Sequence, residues 1–477
     1  MFCRRLAVDP FVLASGLSAR VSVTVRVLAV AVGTALPLAS WAASPAPITA
    51  PATAVAAGPE ASAAAIATAV SSSPAAAPAP APSILFTGKP HPFPALPSGV
   101  VGVYVPNWMP ESLIDPVPPG NLTHILYAFL RLCGPGQLAK DAAHCHGRPD
   151  FELAVSRLET RFNEVFTRYK QRAPQVKVLA SVGGWGGSDP FFHLANDPAR
   201  RAVFVASAQR FLREHPAFDG IDIDWEHPGD NGSAHGVPLG SPQDGQAYAD
   251  LLTDLRHALD ALGQETGRRY LVTMAVNTTQ AIVQRINFRQ AAPALDLVFM
   301  MTYDFYGGWS PVAGHHSTLA SSAPDADDSL LRSIRNLREA GVPSAKMVAG
   351  VAMYGRGFTG VQQPRAGAAK TGVFPDGEGA TPYREIAGRL LDRQGRGRRG
   401  YKAVWDPVTQ AWSLFHAGNH QWLGYDDPRA VWAKARAARA EGLAGVFAWE
   451  LSQDNGDLLN AMNLGMRAQG AQKEPDQ

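Results

Sequence analysis

The chain has 477 residues, with 43 basic and 41 acidic side chains, a formal net charge of +2, and 46% hydrophobic residues. A charge this close to zero does not predict a nucleic acid or another polyanion as a partner. The length allows one large barrel or two smaller domains. The one basic cluster, RQGRGRRG at 393–400, contains no aromatic residues and is interpreted as a solvated loop.

Residues 1–42 have the pattern of a secretory signal. Arginines precede the apolar run VLAVAVGTALPLA at 27–39, and small residues follow it. Because the run is too short to span a bilayer, we expect cleavage near Ala42 and no stable membrane insertion of the mature chain. The predicted location is extracellular, in the periplasm or at the cell surface. An uncleaved membrane anchor is the alternative, since the region before the apolar run is long.

Residues 43–95 are rich in Ala, Pro and Ser. A segment of this composition cannot bury enough apolar surface to offset its ordering entropy, so it predicts a disordered tether. At the other end, residues 467–477 are predicted to form a C-terminal tail. The folded region is therefore expected at 96–466.

Two cysteines, Cys133 and Cys145, remain once the predicted signal and its Cys3 are removed. In an exported protein, two cysteines this close in sequence are expected to form a disulfide bond. The neighbouring His144 and His146 suggest a metal site as an alternative, but no recognised ligand spacing is present. The sequence predicts neither a metal nor another cofactor.

Beyond residue 95, short apolar runs alternate with amphipathic helices. The runs begin, in chain order, at Val100, His124, Val176, Gly220, Tyr270, Leu297, Met347 and Ala444. Continuous apolar strands separated by helices indicate a parallel sheet that is covered on its outside. Eight such runs predict an α/β fold, a closed (β/α)8 TIM barrel.

This alternation breaks between residues 359 and 424, where helical periodicity is poor. Within this region, YKAVWDPVTQAWSLF at 401–415 predicts a β-hairpin closed around Asp406 and Pro407. We therefore expect a small α+β insertion domain at 359–424, between the seventh barrel strand and its helix. It would stand on the C-terminal face of the barrel, where active sites of such barrels lie, and could form one wall of a cleft.

The stretch FDGIDIDWEHP at 218–228 places four acids in an apolar segment. Strand side chains alternate, so Asp222, Asp224 and Glu226 are expected to face the barrel interior. Asp219 falls outside this alternation and is expected to hold the start of the strand. Ionising several packed carboxylates together costs much free energy, so we expect them to share a proton. We also expect a raised pKa on Glu226, which suits a general acid. A cation site or a solvated strand face is the alternative.

The pattern DGIDIDWE at 219–226 resembles the catalytic signature of family-18 glycoside hydrolases, the chitinases, with all four acids in place. Further matching motifs are SVGG at 181–184, GSPQDGQAY at 240–248, MTYD at 301–304, YDFYG at 303–307, YGRGF at 354–358 and FAWE at 447–450. GSPQDGQAY and YDFYG are most similar to bacterial chitinases that carry an α+β insertion. The resemblance covers residues 96–466 and implies a monomeric enzyme whose partners are chitin and chito-oligosaccharides.

The resemblance also implies a mechanism, in which β-1,4-linked N-acetylglucosamine polymers are hydrolysed with retention by substrate-assisted catalysis. This is an exception to the two-carboxylate scheme of most retaining enzymes. Glu226 would act as general acid and base, and the substrate's acetamido group would form an oxazolinium intermediate. Asp224 would orient the acetamido N–H and share a proton with Asp222. Tyr303 would bind the acetamido carbonyl oxygen.

The same motifs assign substrate-binding positions. Carried over residue by residue, these are Tyr104, Ser181, Gly183, Gly184, Trp185, His227, Met301, Asp304, Arg356 and Trp449. Trp449 would form the floor beneath the sugar, Trp185 would stack on the next sugar, and the two glycines would let the backbone approach the ligand. Trp108 either extends this stacking track or is an ordinary packing residue. His227 stands where Tyr or Phe is expected, and either titrates near neutrality or replaces a ring contact.

Two other functions remain open. An endo-β-N-acetylglucosaminidase acting on N-glycans would use the same barrel and acids. The insertion and the ordered aromatic residues instead favour a deep cleft for a long linear chain. The second alternative is a non-catalytic chitin-binding lectin, although members of that class typically lack the terminal acid, which is present here as Glu226.

Overall fold

A computed structural model of the chain describes residues 84–230, 239–375 and 377–467. The predicted secretory signal, most of the predicted tether and nearly all of the predicted C-terminal tail lie outside these residues. Within the described ranges, no helix is both long enough and apolar enough to cross a lipid bilayer.

The described residues contain strands and helices that alternate along most of the chain. The strands are β1 (Val100–Pro106), β2 (His124–Leu132), β3 (Leu153–Ala154), β4 (Lys177–Gly183), β5 (Gly220–Asp224), β6 (Leu271–Asn277), β7 (Leu297–Met301), β8 (Met347–Ala352), β9 (Tyr354–Thr359), β10 (Gly372–Phe374), β11 (Ala380–Pro382), β12 (Tyr401–Asp406), β13 (Ala411–His416), β14 (Gln421–Tyr425) and β15 (Gly445–Trp449). The α-helices are α1 (Ala142–Cys145), α2 (Arg157–Arg172), α3 (Asp189–Leu194), α4 (Pro198–Glu214), α5 (Asp244–Thr266), α6 (Gln280–Val283), α7 (Phe288–Ala294), α8 (Leu330–Glu339), α9 (Tyr383–Leu390), α10 (Pro428–Ala440) and α11 (Asp457–Arg467).

The central sheet is a closed parallel barrel. Its strands follow the order β1–β15–β8–β7–β6–β5–β4–β2, and β2 pairs back to β1. Each of these strands corresponds to one of the eight apolar runs in the sequence, so the predicted (β/α)8 barrel is confirmed. The short strand β3 adds to the outer edge of β2 in the antiparallel direction.

Burial on both faces explains why the barrel strands read as continuous apolar runs. Every residue of β1 and of β8 is buried. In β1, Val101 and Val103 pack in the large cluster between the barrel and its helices, whereas Tyr104 packs in the barrel interior with Phe299 and Phe447. Two apolar layers therefore hold the strand ends at fixed positions beneath the site.

Helix α5 fixes the strand that carries the acids. Its residues Tyr248, Leu252 and Leu255 are fully buried against the barrel. The Tyr248 hydroxyl donates a hydrogen bond to the Ile223 carbonyl oxygen at 3.0 Å. The helix packing therefore reaches the backbone of β5 directly.

A second sheet lies between β8 and α10, where the insertion is predicted. It has the antiparallel order β10–β9–β14–β13–β12, with β11 paired to β9, and it carries α9. The predicted hairpin is formed by β12 and β13, with Asp406 paired to Ala411. The sheet begins at Tyr354, earlier than the predicted boundary at residue 359, because YGRGF forms β9 instead of extending the barrel strand.

The first described residues correct the predicted extent of the tether, which reaches residue 95. Leu85 is buried, and the backbone N–H groups of Thr87 and Gly88 donate to Asp457 Oδ1 at 2.7 and 2.9 Å. The His91 N–H donates to Asn460 Oδ1 at 2.8 Å. Residues 84–91 therefore pack on α11, because this stretch contains apolar side chains and backbone polar groups that the Ala/Pro/Ser composition of the wider region obscures.

A disulfide bond joins Cys133 and Cys145, as the sequence predicts. The two sulfurs lie in a small buried cluster with Ala154 of β3. Across the described residues, no group of three or more His, Cys, Asp or Glu side chains is arranged to hold a metal ion.

Candidate active site

The acids of β5 lie on the side of the strand that the alternation predicts. Asp222 and Asp224 are buried, and Asp222 bonds to side chains of the barrel interior. Glu226 follows at the C-terminal end of the strand and lines a cleft. Ile221 and Ile223 pack instead in the apolar cluster between the barrel and its helices.

Asp219 holds the start of β5, as expected. Its Oδ2 accepts hydrogen bonds from the Val178 N–H at 2.8 Å and from Lys170 Nζ at 2.7 Å. Arg268 Nη2 donates to its Oδ1 at 3.2 Å. Asp219 therefore joins β4, β5 and α2 at the end of the strand opposite to Glu226.

Asp222 is surrounded by hydroxyl donors. Its Oδ2 accepts from Tyr104 OH at 3.1 Å and from Ser181 Oγ at 2.7 Å, and its Oδ1 accepts from Thr273 Oγ1 at 2.6 Å. Burial raises the pKa of Asp222, while hydrogen bonds from Thr273, Ser181 and Tyr104 partly offset this rise. Because all three neighbours donate, the environment suits an ionised Asp222.

Asp224, in contrast to Asp222, lacks a hydrogen-bond donor among the described residues on one of its carboxylate oxygens. Its Oδ1 is buried and has no hydrogen-bond partner within the described residues. Burial, followed by the charges of Glu226 and Asp222, raises the pKa of Asp224 well above its usual range. This arrangement places the negative charge of the aspartate pair on Asp222 and the proton on Asp224.

Glu226 carries its proton at neutral pH. Burial, followed by the negative charge of Asp304, raises the pKa of Glu226 to about 8. The Glu226 backbone N–H donates to Ser188 Oγ at 3.0 Å, and that hydroxyl lies 3.0 Å from the Asp224 carbonyl oxygen. Ser188 thus fixes the backbone that presents the acid.

The cleft in front of Glu226 has a volume of about 1110 Å³. The predicted site residues that line it are Tyr104, Gly183, Trp185, Asp224, Glu226, His227, Met301, Tyr303, Asp304, Arg356 and Trp449. The other predicted residues, Asp222, Ser181 and Gly184, do not line it. Residues 377, 378 and 380 of the insertion also border the cleft, so the insertion supplies one of its walls.

Four tryptophans line this cleft. The exposed fractions of Trp108, Trp185 and Trp309 are 58%, 62% and 64%, while Trp449 lies deeper. The Trp449 ring stacks on Phe129 with centroids 5.6 Å apart and lies 6.3 Å from the Trp108 ring. Large aromatic rings exposed together in a concave surface indicate stacking against a ligand. Trp309 is absent from the predicted set, although it lies two residues after YDFYG.

Asp304 and Arg356 form a rigid pair at one side of the cleft. Arg356 Nε and Nη2 donate to the two carboxylate oxygens of Asp304, each at 2.9 Å, and His316 Nδ1 lies 3.5 Å from Oδ1. Burial raises the pKa of Asp304, but the contacts with His316 and Arg356 outweigh it and hold the pKa well below its usual range. The guanidinium also stacks over Trp309 and Tyr354 at 5.2 and 5.4 Å. Asp304 is therefore a fixed negative charge near Glu226.

Tyr303 presents a free hydroxyl to the cleft. The hydroxyl makes no hydrogen bond within the described residues, although the ring is packed against Tyr354 and Phe447. Burial, followed by the charges of Asp224 and Glu226, raises the pKa of Tyr303 well above its usual range. Tyr303 therefore remains a hydrogen-bond donor at every pH at which the enzyme would work.

His227 is a neutral ring at neutral pH. Burial lowers its pKa to about 4. Its Nε2 lies 3.8 Å from Glu226 Oε2, and its centroid lies 6.4 Å from that of Trp185. Of the two roles predicted for His227, the structure favours the ring contact over titration near neutrality.

Packing requires glycine at positions 183 and 184, at the end of β4, and Gly183 also lines the cleft. Gly183 and Gly184 have φ angles of 111° and 77°. A Cβ on Gly183 would lie 2.2 Å from the Asp224 carbonyl oxygen, and one on Gly184 would lie 2.5 Å from the Phe129 ring. Glycine is needed because β4 approaches β5 closely here.

Three supporting residues are missing from the predicted set. Thr273 and Ser188 contact the acids as described, and Asp244 fixes the loop after Glu226. Asp244 Oδ2 accepts from the N–H groups of Gly229 and Ser241 at 3.0 and 2.9 Å. Thr273 interrupts an apolar run and Asp244 lies in GSPQDG, so both had a sequence signal, whereas Ser188 had none.

Comparison with known proteins identifies the family. The model of glycosyl hydrolases family 18 matches residues 100–454, which contain every residue of the site described above. The chain belongs to this family. Family membership accounts for the barrel, the insertion and the acid motif on β5 together.

Family-18 relatives match most of this chain. It is 34% identical over 438 residues to Chitinase A of Pseudoalteromonas piscicida, covering 78% of this chain and 53% of that protein. It is 32% identical over 421 residues to a probable endochitinase of Orgyia pseudotsugata multicapsid polyhedrosis virus, covering 80% and 74%. The chain thus spans about half the length of the Pseudoalteromonas protein.

Solved structures of the family share this fold. One is a family-18 N-acetylglucosaminidase from Paenibacillus barengoltzii, with a TM-score of 0.64 and 30% identity, covering 77% of this chain and 99% of that one. Another is a family-18 chitinase mutant from Cycas revoluta in complex with (GlcNAc)4, with a TM-score of 0.63 and 26% identity, covering 76% and 99%.

Proposed function

We propose that this protein is an exported chitinase that hydrolyses β-1,4-linked N-acetylglucosamine polymers with retention of configuration. Family membership and the chitinase names of its relatives support the substrate class. Export rests on the signal-like sequence of residues 1–42. The observation that carries the mechanism is the placement of Glu226, with its raised pKa, at the cleft beside Asp222, which accepts three hydroxyl hydrogen bonds, and Asp224, whose Oδ1 has no partner within the described residues.

In the first step, Glu226 gives its proton to the glycosidic oxygen, and the bond between that oxygen and C1 breaks. The carbonyl oxygen of the substrate's own 2-acetamido group forms the new bond to C1, which gives a positively charged oxazolinium ring. Tyr303 donates a hydrogen bond to that carbonyl oxygen. No protein carboxylate has to reach C1, since Asp222 lies beneath the cleft and Asp224 is protonated.

In the second step, water attacks C1 while the Glu226 carboxylate removes its proton. The bond between C1 and the acetamido oxygen breaks, and the acetamido group is restored. Because C1 is inverted twice, the product keeps the β configuration. Glu226 regains its proton and is ready for another turnover.

The aspartate pair stabilises the charge that develops between these steps. One oxygen of Asp224 accepts a hydrogen bond from the acetamido N–H, and Asp224 shares its proton with Asp222. The negative charge of the pair then faces the oxazolinium ring. The three hydroxyl donors around Asp222 keep that charge in place without water.

The shape of the cleft supports a linear polymer as the substrate. Four tryptophans line the cleft together with Glu226, and the insertion forms one of its walls. Stacking platforms in sequence suit a chain of successive sugar rings. An endo-β-N-acetylglucosaminidase and a lectin would share the barrel, but the presence of Glu226 and of four tryptophans in the cleft favours hydrolysis of chitin.

Chitohexaose is expected to be cleaved, and anomer-resolved NMR is expected to detect the β anomer first at each new reducing end. Fully deacetylated hexamer is expected to give no product, because it lacks the acetamido nucleophile. An α anomer in the initial product would contradict the mechanism. Faster release of glycans from a high-mannose glycoprotein than cleavage of chitohexaose would favour the endo-β-N-acetylglucosaminidase.

Glu226→Gln is expected to lower turnover of chitohexaose by about 10²-fold or more, since the amide cannot donate an acidic proton. Binding of chitohexaose, measured by calorimetry, is expected to remain. Glu378→Gln is the matched control, because Glu378 borders the same cleft with its side chain 81% exposed. Equal losses of turnover in the two variants would show that Glu226 is not the general acid.

Turnover is expected to fall as the pH rises through about 8, because Glu226 must be protonated to act and its pKa is raised to about 8. The kcat for a chromogenic chitobioside, measured from pH 5 to 10, checks this. Asp304→Asn removes a negative charge that raises the Glu226 pKa. In this variant the fall of kcat on the alkaline side is therefore expected at lower pH. An alkaline limb that stays in place in this variant would argue against the coupling.

Thr273→Val is expected to lower turnover about tenfold, because Asp222 loses one of three donors to its charge. The same loss raises the pKa of Asp222, so the acid limb of kcat is expected to move to higher pH. Thr273→Ser keeps the hydroxyl and is expected to keep both the rate and the pH profile. Similar behaviour of the Val and Ser variants would show that only packing at this position matters.

A further inference from the structure

A disulfide-closed segment borders the cleft at a distance from the acids. This segment, residues 133–145, follows β2 and is called here the disulfide wall. Its side chains Gln137, Leu138, Lys140 and Asp141 line the same cleft as Glu226. The Cys133–Cys145 bond closes its base. No residue of the wall takes part in the mechanism proposed above.

Arg131 ties the wall to the barrel. Its Nε donates to Asp141 Oδ1 at 2.6 Å, and its Nη1 lies 3.6 Å from Glu159 Oε1. Both carboxylates are buried, with exposed fractions of 7% for Asp141 and 0% for Glu159. Two buried anions thus fix the guanidinium at the edge of the cleft.

The fixed guanidinium still has donors to offer. Within the described residues, only the Nε–H of Arg131 makes a hydrogen bond, and 19% of the side chain is exposed. Lys140 is exposed, lines the cleft, and has no ion-pair partner among the described residues. This edge of the cleft therefore presents the remaining N–H donors of Arg131 and the ammonium group of Lys140 to whatever occupies this part of the cleft.

The wall is supported by the network that also supports the outer tryptophan. The Tyr127 hydroxyl donates to Glu159 Oε1 at 2.7 Å and accepts from Asn107 Nδ2 at 3.2 Å. Asn107 immediately precedes Trp108, whose ring is 58% exposed in the cleft. Trp108, Arg131 and the wall therefore line one cleft and share one supporting network.

We propose that the disulfide wall is a binding subsite for a sugar unit remote from the bond that is cleaved. Arg131 and Lys140 donate hydrogen bonds to the acetamido carbonyl or hydroxyl oxygens of that unit, and the charge of Lys140, which is exposed in the cleft, disfavours a protonated glucosamine there. The proposal rests on the proposed function, since it takes the ligand to be a chito-oligosaccharide. It predicts that long chains contact the wall and that short ones do not.

The test measures binding, so that it does not depend on turnover. In a Glu226→Gln background, Arg131→Gln and Lys140→Gln are each expected to weaken chitohexaose binding about fivefold, as loss of a charged hydrogen bond implies. Chitobiose binding is expected to stay within twofold. Lys402→Gln is the matched control, because Lys402 is an exposed lysine of β12 that does not line the cleft.

Unchanged chitohexaose binding in both the Arg131→Gln and the Lys140→Gln variants would overturn the subsite. Equal weakening of chitohexaose and chitobiose binding would also overturn it. So would a background protein that binds no chitohexaose. Failure of the proposed function is a separate result, since it would be seen as absent hydrolysis by the unsubstituted protein.

The disulfide bond gives a second, independent measurement that leaves Arg131 in place. The Cys133→Ser/Cys145→Ser variant in the same background is expected to lose affinity for chitohexaose and to keep its affinity for chitobiose, because the wall is no longer held closed. Retained chitohexaose affinity would contradict the role of the wall. Thermal unfolding of each variant verifies that the barrel is folded.

Lys140→Glu tests the charge. This reversal is expected to strengthen binding of a partially deacetylated hexamer relative to the fully acetylated one, because an anion would attract the protonated amine. The ratio of the two dissociation constants is the readout. A ratio equal to that of the lysine-bearing protein would rule out charge selection at the wall.

Discussion

The site depends on the electrostatic conflict among three carboxylates at the end of one buried strand. Asp222, Asp224 and Glu226 are too close and too desolvated to ionise together. The surrounding structure resolves the conflict by giving hydroxyl donors to Asp222 and none to the Oδ1 of Asp224. Protons therefore remain on the outer two acids, which is the arrangement that an acid-catalysed step requires.

The barrel makes this arrangement possible because parallel strands bring their carboxyl ends to one face. Tyr104, Ser181 and Thr273 are far apart in the sequence, yet their strands β1, β4 and β6 place all three hydroxyls on the same carboxylate. Each strand is held by apolar burial on both sides, so the three hydroxyls are already positioned to donate to Asp222. Stability of the core and electrostatics of the site thus have the same structural origin.

Much of this could be predicted from the sequence, and what was missed has identifiable causes. The alternation of side chains along DGIDIDWE determines which of them share a face. This alternation could be predicted because strand geometry depends only on neighbouring residues. Contacts between strands are not local, so Thr273 was overlooked even though a hydroxyl inside an apolar run is a visible signal. Ser188 sits in a glycine-rich loop with no pattern, and its role follows only from the backbone positions of Asp224 and Glu226.

Backbone proximity and composition account for the other differences. The requirement for glycine at positions 183 and 184 comes from close contacts with Asp224 and the Phe129 ring, which only the packed structure brings together. The burial that keeps His227 neutral is likewise a property of the assembled loop. The boundary of the tether was misplaced because a composition average over fifty residues conceals a short stretch with specific partners.

That short stretch has a practical consequence for anyone who wishes to produce the catalytic region alone. The family match begins at residue 100, which suggests a convenient place to cut. A fragment that starts there would leave Asp457 and Asn460 of the last helix without the backbone groups they now accept from Thr87, Gly88 and His91. A fragment that keeps these contacts therefore has to start before the recognisable domain does, near residue 84.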